Sequence, residues 1–436
     1  MKRLLVLLVA VFAASLLTAS SYAADAKFNG HYRVMGFMVE NMSQNGSLQR
    51  PGADEKWSYV EHRLRLNIDI YEGPVMGRLQ INSAAPFSQG YKWGEGQDSS
   101  GWNREMFLQF PLGGAVVKVG KYWATSPYTL GEFIHMGTWE GLTITYPVSP
   151  ALTLIASVFD TSDASEDDAK LYALVIPYSP AGSVFSGVLG WYYYVDNNST
   201  TAGTYREDRP MWLVGTVAAA QGPWNVRLTG AAMFGDTDIN IAGVSSSYDY
   251  NAHAYDVRAS YNFAKAGGPP LTLEAIYGYG SGDDNQTASD RDYKEFRTPT
   301  PSYTHTSIFL DGGDSGDGGA QLAHPARSQA GGIGNLSWIG LKASYKLTAK
   351  STLNASASTF YLAEKTANNP SYDYQDDELG QEYNLAFVHQ LAKGLSLTLS
   401  GAWFIPNEKG WTTTTAAATA PDDTVSEYMT KLFWSF

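Results

Sequence analysis

The sequence predicts an all-β fold, a transmembrane antiparallel β-barrel of about 18 strands with short periplasmic turns and long external loops. Three observations predict it. Apolar and polar residues alternate with period two in segments of about ten residues. Long and short connections between those segments alternate along the whole chain. An export address stands at the N-terminus, and no later window is apolar enough for a spanning helix.

The address comes first. Lys2 and Arg3 precede an apolar run from Leu4 to Leu17, followed by Ser21-Tyr22-Ala23. That three-part pattern is a secretory signal over 1–23, leaving 24–436 as one barrel domain. The run is shorter than the roughly 20 residues that span a bilayer. An uncleaved anchor is the competing reading.

Alternation defines eighteen strands, at 27–39, 57–72, 75–84, 104–111, 114–121, 136–146, 150–159, 168–179, 184–195, 208–219, 223–236, 250–263, 269–280, 334–347, 350–362, 378–390, 394–405 and 424–436. Arg63-Leu64-Arg65-Leu66-Asn67-Ile68-Asp69-Ile70 is the clearest: one face is polar, the other aliphatic. Eight connections are tight, Gly73-Pro74 and Gln221-Gly222 among them. Nine are long: 40–56, 85–103, 122–135, 160–167, 196–207, 237–249, 281–333, 363–377 and 406–423. Two strictly alternating loop classes fit a barrel whose ends face different compartments, with both termini on the periplasmic side. The last strand puts Tyr428, Thr430, Leu432, Trp434 and Phe436 on one face. Tyr428, Trp434 and Phe436 resemble the terminal signal read by the barrel assembly machinery. A chance apolar end strand is the alternative.

Composition agrees. Of 436 residues only 17% are charged and 13% are aromatic, which argues against disorder. The absence of cysteine excludes a disulfide framework, a thiolate metal site and a cysteine nucleophile. A net charge of −13 argues against a nucleic-acid partner. Aromatics near strand ends, including Tyr71, Tyr122, Trp123, Trp191 to Tyr194, Tyr277 and Tyr279, suggest interfacial girdles. Ordinary β-propensity enriches aromatics as well.

An 18-stranded barrel is too wide to fill with side chains, so an aqueous lumen is expected. Strand parity assigns to that lumen His31, Arg33, Arg63, Arg65, Asn67, Asp69, Arg78, Gln80, Asn82, Glu105, Gln109, Lys118, Asn225, Arg227, His253, Arg258, Ser260, Glu274, Lys342, Lys346, Asn354, Glu382 and Asn384. Arg33, Arg63, Arg65, Arg78, Glu105, Lys118, Arg227 and Arg258 are the candidate pore-lining charges. The acids sit mainly in loops, with 8 acids against 4 bases in 281–333. A ladder of Arg and Lys favours anions. The bland reading is that Arg63 and Arg65 pair with Glu61, Asp69 or Glu105. The loop 122–135 is unusually apolar and stands third among the long loops. It is expected to fold inward as a constriction loop carrying Tyr128, Glu132 and His135, with Glu132 facing the basic wall. Packing on a neighbouring subunit is the alternative.

Other chemistry is weak. Gly313-Asp314-Ser315-Gly316 is followed by Asp317 and lacks the base and orienting group of a catalytic serine. Asp311, Asp314 and Asp317 could hold Ca²⁺, yet their spacing is not that of an EF-hand. The seven histidines show no paired metal spacing, so neither cofactor nor enzyme activity is expected.

Two stretches carry a family resemblance. Leu379-Gly380-Gln381-Glu382-Tyr383-Asn384-Leu385 and Leu395 through Pro406 resemble the end of alginate-export-type 18-stranded barrels. Arg63-Leu64-Arg65-Leu66-Asn67, Val119-Gly120-Lys121-Tyr122-Trp123 and Leu432-Phe433-Trp434-Ser435-Phe436 are similar to the outer-membrane homotrimeric porins of sulfate-reducing bacteria. The resemblance implies a homotrimer in the Gram-negative outer membrane, amid lipid bilayer and lipopolysaccharide, passing small hydrophilic solutes. The expected function is passive diffusion with mild anion preference. A substrate-specific channel for anions or saccharides, and a structural or adhesive surface barrel, are the alternatives.

Overall fold

A computed structural model describes residues 25–41, 56–86, 103–125, 134, 136–161, 169–198, 204–241, 244–284, 292–299, 303, 305–310, 324, 327, 332–365, 374–411 and 423–436. Its wall begins with β1 (Asp25–Glu40), β2 (Lys56–Glu72), β3 (Val75–Pro86), β4 (Asn103–Leu112), β5 (Ala115–Thr125) and β6 (Met136–Pro147). It continues through β7 (Thr153–Asp160), β8 (Lys170–Tyr178), β9 (Phe185–Asn198), β10 (Thr204–Gln221), β11 (Trp224–Ile241), β12 (Val244–Asn262) and β13 (Leu271–Gly280). A two-residue strand, β14 (Asp292–Tyr293), runs parallel to β12 at Asp249 and Tyr250 and is not part of the wall. The wall resumes with β15 (Leu336–Lys346), β16 (Ser351–Tyr361), β17 (Glu378–Ala392), β18 (Leu395–Pro406) and β19 (Val425–Ser435).

All eighteen wall strands pair antiparallel with their neighbours in sequence, and β13 pairs directly with β15. β1 closes the ring by pairing with β19 from His31↔Ser435 to Glu40↔Ser426. Closure leaves no edge strand, so backbone donors and acceptors along the wall are satisfied within it. The tight turns use residues that force a reversal. Gly73 (φ +55°) and Gly222 (φ +58°) each precede a proline that cannot extend a strand.

Antiparallel register fixes the faces. Arg33 lies opposite Arg63, Asp69 opposite Arg78, Gln109 opposite Lys118, and Asn384 opposite Ser356. One parity therefore runs round the barrel as its inner face. The other parity carries the exposed aliphatics, such as Val217, Leu228, Leu273, Leu341 (62% exposed) and Leu399. That is the pattern of a wall whose outer surface meets apolar solvent.

Several sequence expectations need correction. The stretch 237–249 is not a long loop, because β11 and β12 stay paired out to Ile241↔Val244. Polar residues on both faces read as loop, yet a strand pair that extends beyond the aliphatic band of the outer face is polar on both sides. His253 does not share the inner parity of Arg258; it faces outward, stacked on Tyr279 at 5.6 Å. The inner face is also not uniformly polar. Phe107, Tyr122, Trp139, Phe159, Leu171, Tyr192, Trp212, Val214 and Met233 form a buried apolar sector on it. Tyr122 and Tyr192 thereby leave the expected girdle, whereas Trp191 and Tyr277 do face outward. Inner-face apolar residues need a cover, and Ile134, Phe296, Tyr303, Ile308, Phe309 and Leu310 join the same cluster.

Candidate functional site

The candidate site is the inner wall together with the segment that folds onto it. Its first part is the charged sector of β1 to β5. Arg33 Nη2 meets Glu61 Oε1 at 2.9 Å, both side chains largely buried. Arg78 grips Asp69 with two hydrogen bonds, 2.6 and 2.9 Å, and reaches Glu105 at 3.6 Å. Such a two-point fork fixes direction as well as charge. Arg65 Nε donates to Asn82 Oδ1 at 3.1 Å. Amides link the rungs: Gln80 donates to Asn67, Asn67 to Asn29, and Asn29 to Asp69. Lys118 Nζ lies 4.0 Å from the Phe107 ring centre and 4.2 Å from that of Tyr122, a cation–π clasp.

Arg33, Arg63, Arg65, Arg78, Glu105 and Lys118 are thus brought to one continuous sector. The bland pairing expected for it takes a different form. Glu61 is engaged by Arg33 and Asp69 by Arg78, while Arg65 is held by a neutral amide. Arg227 and Arg258 stand opposite each other on β11 and β12, away from this sector. Tyr128, Glu132 and His135 lie outside the described residues, as do the signal segment and Asp311, Asp314 and Asp317. Tyr428, Trp434 and Phe436 are on the outer face; Trp403 Nε1 donates to the Tyr428 hydroxyl at 3.2 Å.

The second part of the site is inside the long connection 281–333. Its described residues pack on the inner wall. Glu382 of β17 is fully buried and accepts the backbone N–H groups of Ser307 (2.8 Å), Ile308 (3.0 Å) and Phe309 (2.9 Å). Asp256 of β12 is equally buried and accepts from Arg258 Nε and from the Tyr303 hydroxyl, each at 2.6 Å. Trp212 Nε1 donates to the carbonyl of Arg297 at 2.9 Å, and Trp338 Nε1 donates to the Tyr303 hydroxyl at 3.2 Å. Arg258 Nη2 stands 2.9 Å from His305 Nε2. A guanidinium only donates, so Nε2 accepts and the proton of His305 sits on Nδ1. Phe309 packs against Phe360 and Phe404, with ring centres 4.5 and 5.4 Å away.

Three long connections then meet above the wall. His324 is buried between Tyr374 and Trp411, its Nε2 bound to the carbonyl of Gly410 at 3.0 Å. Burial pushes its imidazole down to about 3. Burial likewise lowers the Arg327 guanidinium to about 10; its Nε donates to the Gly334 carbonyl at 3.2 Å. Asn335 ties this layer to Glu364, donating to its carbonyl at 3.2 Å and accepting its N–H at 2.8 Å.

Sequence reasoning gave the inward role to 122–135 and missed the anchors in 281–333. A signal was present: Ile308-Phe309-Leu310 is an apolar run inside a Gly- and Asp-rich segment. The burial argument applied to 122–135 also applies to it.

The family model for alginate export matches residues 134–408, well over half of the chain. The chain belongs to the alginate export family. The match begins beyond β5, so the Arg-rich sector lies outside it, while Asp256, Tyr303, His305, Trp338 and Glu382 lie within it. Solved structures with the same architecture include OccK9 (OpdG) of Pseudomonas aeruginosa, at 14% identity and TM-score 0.55, covering 94% of this chain and 98% of that one. A BenF-like porin of Pseudomonas fluorescens Pf-5 aligns at 11% identity and TM-score 0.53, covering 94% and 98%. OccK11 (OpdR) of P. aeruginosa aligns at 10% and 0.53, covering 94% and 96%. Identities this low establish the shared fold, a closed 18-strand porin-type barrel. No curated protein matches the sequence.

Proposed function

We propose that this alginate-export-family barrel is an outer-membrane porin through which small hydrophilic solutes and ions diffuse passively, with a mild preference for anions. The observation that carries the reading is the combination of a closed wall, an aliphatic outer face and a charged inner sector in β1 to β5. A width of 18 strands leaves room for a water-filled passage. Arg33, Arg63, Arg65, Arg78 and Lys118 outnumber Glu61, Asp69 and Glu105 on that sector, which supports net attraction of anions. The excess is small, which favours small solutes over a polyanionic chain.

The setting belongs to the same proposal: the Gram-negative outer membrane, entry through the barrel assembly machinery by way of Tyr428, Trp434 and Phe436, contact with lipopolysaccharide, and a homotrimer. A second reading, a substrate-specific channel, is favoured by Tyr303 and by Ser307 to Phe309, which Asp256 and Glu382 hold against the inner wall. Purified protein in a planar bilayer under a KCl gradient tests both. Stepwise openings with a reversal potential biased to chloride are expected. Strong cation selectivity would overturn the anion preference. Ion flux that one solute class saturates at low concentration would favour the second reading.

A further inference from the structure

Beyond β12 the inner wall changes character. From β13 to β17 the inward residues are Thr272 and Glu274, Lys342 and Ser344, Asn354 and Ser356, then Asn384 and Ala386. These strands and the anchored segment at His305 to Ser307 line an open pocket of about 520 Å³ on the inner wall. Its single carboxylate and single ammonium, Glu274 and Lys342, lie directly opposite each other in register, so the lining carries no net charge. His305 is neutral, because its Nε2 accepts from Arg258. The rest of the lining is hydroxyl and amide.

One atom in that lining lacks a partner. Asn384 Nδ2 donates to Ser356 Oγ at 3.1 Å, yet the buried Asn384 Oδ1 accepts no hydrogen bond from any described group. That oxygen is shielded from water in the empty pocket, so it meets a solute only when the amide turns outward. Ser356, having accepted from Asn384, keeps its own O–H to donate. The pocket therefore presents donors and acceptors side by side at charge balance. A sugar hydroxyl is the group that meets this pattern, since each one donates and accepts. An anion or cation would shed its water and find no uncompensated opposite charge.

We infer that this pocket is a binding subsite for a neutral, polyhydroxylated solute of mono- to disaccharide size, on a sector of the inner wall separate from the charged one. The inference rests on the channel reading above and gives it a substrate class.

The test uses the full chain in planar bilayers at fixed KCl, with maltose as probe. Current block that saturates with maltose concentration is expected. Asn384→Leu removes the amide and is expected to weaken the block about tenfold, one good hydrogen bond's worth. Ser356→Ala gives a smaller loss, and KCl conductance stays within the wild-type range in both. Conductance without saturable maltose block overturns the subsite and leaves the channel reading standing. Tighter block by glucuronate or by a zwitterionic amino acid than by maltose overturns the neutral class. A barrel that does not conduct defeats the channel reading instead. Binding is then read in detergent through the fluorescence of Trp338, which stacks on His305 with ring centres 5.3 Å apart. No maltose-dependent change there overturns the subsite as well.

Discussion

The Glu382 carboxylate of β17 accepts the backbone N–H of Phe309 at 2.9 Å, and with Ser307 and Ile308 it satisfies three consecutive loop amides. A wall side chain thereby does for the loop what a neighbouring strand would do. Glu382→Ala leaves three buried donors unpaired, a local cost of about 3 kcal/mol or more. The segment around 303–310 is expected to detach, raising single-channel conductance and opening the loop to protease. Glu382→Gln, which keeps one acceptor oxygen and turns an amide NH2 donor toward the loop N–H groups, is expected to fall between. Conductance and cleavage unchanged from wild type in Glu382→Ala would refute the anchor.

Asp256 joins two jobs that can be separated. It accepts from Tyr303, which holds the loop, and pairs with Arg258, which balances charge. Tyr303→Phe loses one neutral donor, about 1 kcal/mol of docking, and leaves the charge unchanged. Asp256→Asn uncovers the Arg258 cation. The expected result is a reversal potential shifted toward chloride in Asp256→Asn and unmoved in Tyr303→Phe. Equal shifts in both would mean that loop position, not charge, sets selectivity.

The wall was legible in the sequence because its two faces meet different solvents. Arg63 to Ile70 announces β2 through alternation alone, and the terminal strand does so from Tyr428 to Trp434. The pattern of connections then gave the antiparallel order, although the alternation breaks at 237–249, where the strands stay paired. What alternation cannot express is where a long connection goes after it leaves the wall. Phe296, Tyr303 and Phe309 are buried by tertiary packing on β12 to β18. That burial follows from Asp256 and Glu382, which lie 47 and 73 residues from their loop partners. The apolar inner sector misled for the same reason: Trp212 faces inward because the loop covers it. His253 was misplaced by a slip of one residue, which reverses a strand face.

Within the charged sector, Arg78 and Arg65 should differ. Arg78 is held by Asp69 and Glu105, whereas Arg65 is held by Asn82. Arg78→Ala exposes two carboxylates, so it should move the reversal potential toward potassium more than Arg65→Ala does. It should also cost more stability, about 3 kcal/mol for breaking a buried pair against about 1 kcal/mol. Reversal potentials and urea unfolding midpoints of the two variants measure both orderings. The reverse order in either would sink this account.

The loop layer carries a dependence on acid. Burial holds the His324 imidazole at about 3 against an ordinary 6.5. A detached loop takes up a proton between those values and the packed loop does not. The stability this histidine supports is therefore complete above pH 6.5. It is lost as pH falls from there toward 3, at about 1.4 kcal/mol per pH unit. Tryptophan emission from the Trp411 layer and proteolysis of 281–333 should both report loosening between pH 6 and 4, within the window set by those two values. His324→Gln should flatten that profile while keeping a donor for the Gly410 carbonyl. Loosening with the same midpoint in His324→Gln would assign the acid response to another group.

Leu341 and Lys342 are neighbours in sequence on opposite faces of β15, and they put the membrane placement itself to the test. Leu341 is outward and exposed, midway along the strand, whereas Lys342 faces the inner pocket. If lipid bathes the outer face, Leu341→Arg places a cation near the bilayer midplane and costs about 2–4 kcal/mol. Lys342→Met exchanges an ammonium for an apolar chain of similar length beside Glu274. It should disturb selectivity more than stability. Heat-modified mobility and urea midpoints in lipid vesicles give the two costs. Leu341→Arg as stable as wild type in vesicles would mean that water, not lipid, meets this face of the barrel.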